Sequence, residues 1–76
     1  MTKQDFFVNL KEELELGIAI DGSTVIKELD VWDSMTAMVL IGYVSGEFGL
    51  TLTANDLESL TTIDSLITKI GEDKFN

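Results

Sequence analysis

The stretch from Leu29 to Gly71, LDVWDSMTAMVLIGYVSGEFGLTLTANDLESLTTIDSLITKIG, decides the fold. Its clearest period lies near the end. Ile63, Leu66, Ile67 and Ile70 fill the i, i+3, i+4, i+7 template, so a helix from Thr62 to Ile70 has one fully apolar face. Thr61 or Thr62 caps it and Gly71 stops it. Upstream, Asp33 and Ser34 are both good N-cap types and open a second helix that reaches Phe48, with Gly49 as its stop. Ala37, Leu40, Ile41, Val44 and Phe48 share its core face. Met35, Met38, Val39, Gly42 and Gly46 form a second strip beside it. Between the two, Thr53 with Asp56 three residues on caps a short helix from Ala54 to about Ser59. Leu50-Thr51-Leu52-Thr53 alternates like a strand but has no partner strand, so it reads as an extended connection with its leucines inward.

Outward from this stretch, Phe6, Phe7, Leu10 and Leu14 recur at helical spacing and predict a first helix from about Lys3 to Leu16. Thr2 and Asp5 resemble a capping box with Asp in the place of Glu, and Gly17 is the expected stop. The loop from Gly17 to Trp32 is long for so small a chain. Its apolar residues Ile18, Ile20, Val25, Ile26, Leu29, Val31 and Trp32 predict that it packs back over the helices, with a short helical turn near Ser23 to Leu29. Residues Glu72 to Asn76 read as a frayed tail. The expected fold is all-α, one domain over residues 1–76. It is a small four-helix bundle with a long first crossover and a short third helix.

Composition removes whole chemistries. The 76 residues hold five lysines and no arginine against 14 Asp plus Glu, a net charge of −9. That sign is wrong for nucleic acid phosphates and for an anionic membrane surface, and right for basic protein partners. There is no Cys and no His, so no thiolate nucleophile, no disulfide, no Cys-based metal site and no imidazole acid–base step. A 45% hydrophobic content is too high for a disordered acidic tail. No apolar run approaches a membrane span, and MTKQDFF lacks the apolar core of a signal peptide. A cytoplasmic monomer without catalysis of its own, without a metal site and without membrane insertion is the expectation.

One place combines exposed chemistry with special geometry: Asp33-Ser34-Met35, after a long loop and at the start of a helix. Taken alone, a Ser there is a cap. In context, Asp33-Ser34-Met35 is followed by Glu47-Phe48-Gly49, the alternating Leu50 and Leu52, the acidic Asn55-Asp56-Leu57-Glu58, and Thr62-Ile63 opening the last helix. This succession resembles the acyl carrier protein family, the phosphopantetheine-binding carrier domains, over the whole chain in length and helix order.

The resemblance implies that Ser34 carries 4′-phosphopantetheine, delivered from coenzyme A by a phosphopantetheinyl transferase. It also implies that acyl-loading and acyl-transfer enzymes are further partners, and that Asp33 contacts the transferase or its metal as well as capping the helix. A reactive thiol borne by that group would let a chain without cysteine handle thioesters. A phosphodiester at a helix N-terminus would meet free backbone N–H groups. Met35 stands where the family usually has Leu. The outward face of the second helix, acidic in fatty-acid carriers, is almost uncharged here, with Glu47 as its acid. Met35, Val39 and Gly42 are therefore assigned to partner recognition, with Met38 turned toward the loop.

The function expected is a freestanding acyl carrier serving fatty-acid, polyketide or specialised lipid enzymes. The alternative is an aminoacyl or peptidyl carrier of a nonribosomal or D-alanylation-type system. Three further features carry less. Asp21-Gly22-Ser23 with Glu28, Asp30 and Asp33 lacks the spacing of a calcium loop. Trp32 reads as partly buried packing. Gly42-x-x-x-Gly46 reads as a shallow surface rather than a helix-packing motif.

Overall fold

The computed structural model describes residues 1–75. Its elements run α1 (Lys3–Glu13), a 3₁₀ turn (Ile26–Glu28), α2 (Ser34–Phe48), α3 (Ala54–Ser59), α4 (Ile63–Ile70) and a second 3₁₀ turn (Glu72–Lys74). The all-α bundle with a long first crossover is thus the architecture observed. Among the described residues, no helix is long and apolar enough to cross a membrane.

Each helix starts where a side chain can take an orphan N–H. The Thr2 hydroxyl accepts from the Asp5 amide at 3.0 Å and the Asp5 carboxylate accepts from the Thr2 amide at 3.4 Å, closing the capping box. Thr53 and Asp56 repeat the device on α3. Asp33 caps α2, and Thr62 caps α4 through the Ser65 amide.

The end of α1 departs from the expectation of Leu16 with a stop at Gly17. The helix closes at Glu13, and Glu15 takes the left-handed conformation at φ 54°. The Leu16 amide donates to the Lys11 carbonyl at 2.9 Å and the Glu15 amide to Glu12 at 3.2 Å, a Schellman ending built without glycine. Packing explains it. Leu14 and Leu16 are both buried, at 6% and 8% exposure. In a continued helix, residues two apart point about 200° away from each other, so one leucine would face solvent.

The crossover is tied down rather than free. Ile26 donates to the Thr61 carbonyl at 2.9 Å and Ile63 to Thr24 at 3.0 Å, forming an isolated antiparallel bridge between Val25 and Thr62. The Asp64 amide donates to the Gly22 carbonyl at 2.8 Å. The loop thus satisfies two amides in the first turn of α4. The approach is close enough that a Cβ on Gly22 would collide with the Asp64 carboxylate. Ile26 and Leu29 are buried beneath the loop, which places the 3₁₀ turn inside the predicted Ser23–Leu29 segment.

The core joins Phe6 and Leu10 of α1, Leu40 and Val44 of α2, Leu57 of α3, all four predicted residues of α4, and Leu52 of the extended connection. Leu50 is half-buried.

The second correction concerns the tail. Phe75 is buried at 8% exposure, with its ring centroid 5.2 Å from that of Phe6 and 5.4 Å from that of Phe48. Phe6 also meets Phe7, Tyr43 and Phe48. The residues from Glu72 to Phe75 are therefore packed, not frayed, because an aromatic ring on the edge of this cluster buries more than its tether loses; Asn76 lies outside the described residues. This cluster occupies the Phe48 end of α2. Ser34 lies at the opposite end, about 20 Å along the helix axis at 1.5 Å per residue.

Candidate functional site

The start of α2 is set by the residues before it. Trp32 donates its amide to the Leu29 carbonyl at 3.0 Å, and the Thr36 hydroxyl donates to the Val31 carbonyl at 2.7 Å. These bonds turn the chain so that Asp33 stands at the N-cap. Its Oδ1 accepts from the Thr36 amide at 2.8 Å. That backbone donor, then the Thr36 hydroxyl and the Met35 amide, hold the Asp33 carboxyl below the usual carboxylate range and keep it ionised.

Ser34 follows as the first residue of the helix. It is exposed, and among the described residues its hydroxyl has no hydrogen-bond partner. It borders an open groove of about 430 Å³, lined also by Lys27, Trp32, Asp33, Ala37, Ala54, Leu57 and Glu58. Trp32 is half-buried there, as expected of a packing residue. The Lys27 ammonium donates to the Glu58 carbonyl at 2.7 Å and bridges the crossover to α3.

The other flank of Ser34 is apolar and open. Met35 is 73% exposed and Met38 70%, and Val39 and Val31 are each a little over one-third exposed, at 38% and 37%. Met38 was expected under the loop and is instead at the surface. The 3₁₀ turn directs Ile26 and Leu29 inward instead, so the crossover leaves this face open. Nothing lies within 4 Å of where a Cβ would stand on Gly42 or Gly46, so both glycines lie on bare surface rather than in a helix contact. Asp33, Ser34, Met35, Val39 and Gly42 are thus all exposed on one helix and its cap.

The Asp21 loop is a hydrogen-bonded turn. Its carboxylate accepts from the Ser23 hydroxyl at 2.7 Å and the Ser23 amide at 2.8 Å, which lowers its pKa. Among the described residues, no group of three or more His, Cys, Asp or Glu could hold a metal ion.

The sequence reading did not pick out Lys27, Ala54 or Leu57 as neighbours of Ser34. Lys27 and Glu58 are 31 positions apart and α3 is only six residues long, so nothing local marks their meeting.

Neither a curated protein nor a solved structure matches the chain. The model of the phosphopantetheine attachment site family matches residues 9–70, a span that holds the crossover, α2, α3 and α4. With most of its length matched, the chain belongs to the phosphopantetheine attachment site family, whose domains bear 4′-phosphopantetheine covalently and act as carriers rather than catalysts.

Proposed function

We propose that Ser34 is the attachment residue and that the chain carries acyl groups as thioesters, presenting them to the enzymes of a fatty-acid, polyketide or specialised lipid pathway. The observation that carries this reading is the state of the five serine hydroxyls. Ser23 donates to the Asp21 carboxylate, Ser59 to the Asp56 carbonyl at 2.8 Å, and Ser65 to the Thr62 carbonyl. Ser34 and Ser45 are exposed and unengaged among the described residues. Only Ser34 of these two opens a helix beside a groove. Ser45 lies about 16 Å further along α2, on its last turn.

The site fits the group. An unengaged hydroxyl is reachable by a transferase, and the adjoining groove leaves room for the arm. Bound there, phosphopantetheine supplies the thiol that the chain lacks. Asp33 holds the helix start in place and is the contact offered to the transferase. Met35, Val39 and Gly42 form the recognition face. Because α2 bears a single charge, Glu47, near its far end, this face supports a carrier dedicated to one pathway rather than one steered by charge to many enzymes. An aminoacyl or peptidyl cargo fits the same geometry.

Incubation with coenzyme A, Mg²⁺ and a broad-specificity phosphopantetheinyl transferase tests the assignment. Intact mass should show one group added to the native chain and none to Ser34→Ala. Equal labelling of Ser34→Ala would refute it. The mass of protein purified from its native cell would identify the cargo and separate acyl from aminoacyl.

A further inference from the structure

Building on Ser34 as the attachment residue, we propose that Met35 and Met38 are a peroxide-responsive modification site. Oxidation of their thioethers to sulfoxides makes the flank of Ser34 polar and slows transfer of the phosphopantetheine group to that serine.

Their placement on α2 carries the argument. Met35 directly follows Ser34, and Met38 stands one turn on from it, at i+4. The two methionines are i, i+3 neighbours of each other. An enzyme seated over the Ser34 hydroxyl therefore covers both. Both are exposed, whereas the third methionine, Met1, is half-buried against the core, with the Tyr43 hydroxyl donating to its sulfur at 4.0 Å. Composition narrows the chemistry further. The chain has no Cys and no His, and its one Trp and one Tyr are half-buried. Met35 and Met38 are thus the side chains most open to a two-electron oxidant.

The oxidant is hydrogen peroxide or an organic hydroperoxide. The thioether sulfur attacks the outer peroxide oxygen and gives up two electrons. An S–O bond forms as the O–O bond breaks. The leaving oxygen takes the proton of the transferred hydroxyl and departs as water or the alcohol. A flexible apolar side chain then ends in a polar acceptor. The face offers that acceptor no partner: Val39 and Gly42 are its neighbours, and the first charge along α2, Glu47, is itself an acid. In solvent water satisfies the new oxygens and the fold is unaffected. Beneath a docked enzyme they are buried without donors, so docking weakens. The chain has no thiol of its own, so the methionines respond to peroxide before priming supplies one.

The test treats the full, unloaded chain with hydrogen peroxide over a time course and maps the products by mass. Each sample then meets coenzyme A, Mg²⁺ and the broad-specificity phosphopantetheinyl transferase. The untreated chain comes first: no gain on Ser34 overturns the attachment reading and this proposal with it. Given the gain, one oxygen should appear on each of Met35 and Met38 before Met1, with far-ultraviolet circular dichroism unchanged. Labelling should slow about tenfold, and methionine sulfoxide reductases A and B together should restore it. Met35→Leu/Met38→Leu, compared with its own untreated rate, should label no more slowly after peroxide. Equal labelling of oxidised and untreated chain, earlier oxidation of Met1, loss of circular dichroism, failure of the reductases to restore the rate, or slowed labelling of the treated double variant would each overturn the role of the two methionines. All of these leave Ser34 as the attachment residue.

Discussion

Replacing Phe75 with Ala tests whether the C-terminal turn belongs to the core. The ring is 8% exposed and packs edge-on against Phe6 and at a tilt against Phe48. Losing roughly 140 Å² of buried aromatic surface costs about 3.5 kcal/mol at ~25 cal/mol per Å². The two ring contacts add about 1–2 kcal/mol. Against this, the three or four residues that lose their anchor regain backbone freedom, about 3 kcal/mol at the low end of the usual range. The net is about 2 kcal/mol of destabilisation. A domain of this size holds only about 4–11 kcal/mol, so the loss should be plain. Urea unfolding followed by both far-ultraviolet circular dichroism and Trp32 fluorescence should show a midpoint lower by roughly 1–2 M with coincident transitions. The Trp32 end of α2 is remote from this cluster, so transferase labelling should persist. A midpoint unchanged within about 0.3 M would mean that the tail frays in solution and that Phe75 adds nothing to the core.

Three further outcomes are expected. Lys69 and the Thr53 amide hold the Asp56 carboxyl down to about 2, so its stabilising contribution is complete above the unfolded value near 3.9 and is lost as pH falls through 2. The melting-temperature gap between native chain and Asp56→Asn should therefore be widest above pH 5 and close toward pH 2; a constant gap would contradict the pairing. Glu15→Gly, at the left-handed end of α1, should raise stability by about 0.5–1 kcal/mol in denaturant titration, and a lower midpoint would place a stabilising contact on the Glu15 side chain. Val39→Glu should weaken loading by the native acyl-loading enzyme with circular dichroism unchanged, and normal loading would move recognition to the acidic crossover and α3.

Much of this was legible because local rules suffice for it. The four apolar residues of α4 share one stripe whatever the rest of the chain does. Thr2 with Asp5 and Thr53 with Asp56 close their capping boxes across three residues. Asp33 and Ser34 mark a helix start by residue type alone. The misreadings arise where contacts between distant residues decide. Gly17 looked like the stop for α1, but the burial of both Leu14 and Leu16 placed the turn at Glu15 despite its side chain. Phe75 looked like part of a frayed end because its partners, Phe6 and Phe48, lie 69 and 27 positions away in sequence. Lys27 gave no local sign because its partner is a backbone carbonyl on α3.

These long-range contacts also give α2 two unlike flanks at Ser34. On one side, the crossover and α3 meet across Lys27 and border an open groove that carries one lysine and two acids. On the other, Met35, Met38 and Val39 stand in solvent with no charged neighbour on the helix until Glu47. In a chain of net charge −9, an uncharged surface is the exception, and it borders the one serine proposed to carry the cargo. A partner enzyme that docks here gains apolar contact on Met35 and Val39 beside the serine proposed as attachment residue. Docking should accordingly depend weakly on salt, because apolar burial is not screened. An affinity for the acyl-loading enzyme that barely changes between low and moderate salt is the expected result. An affinity that falls steeply with salt would mean that the acids of the crossover and α3, not this face, meet the partner.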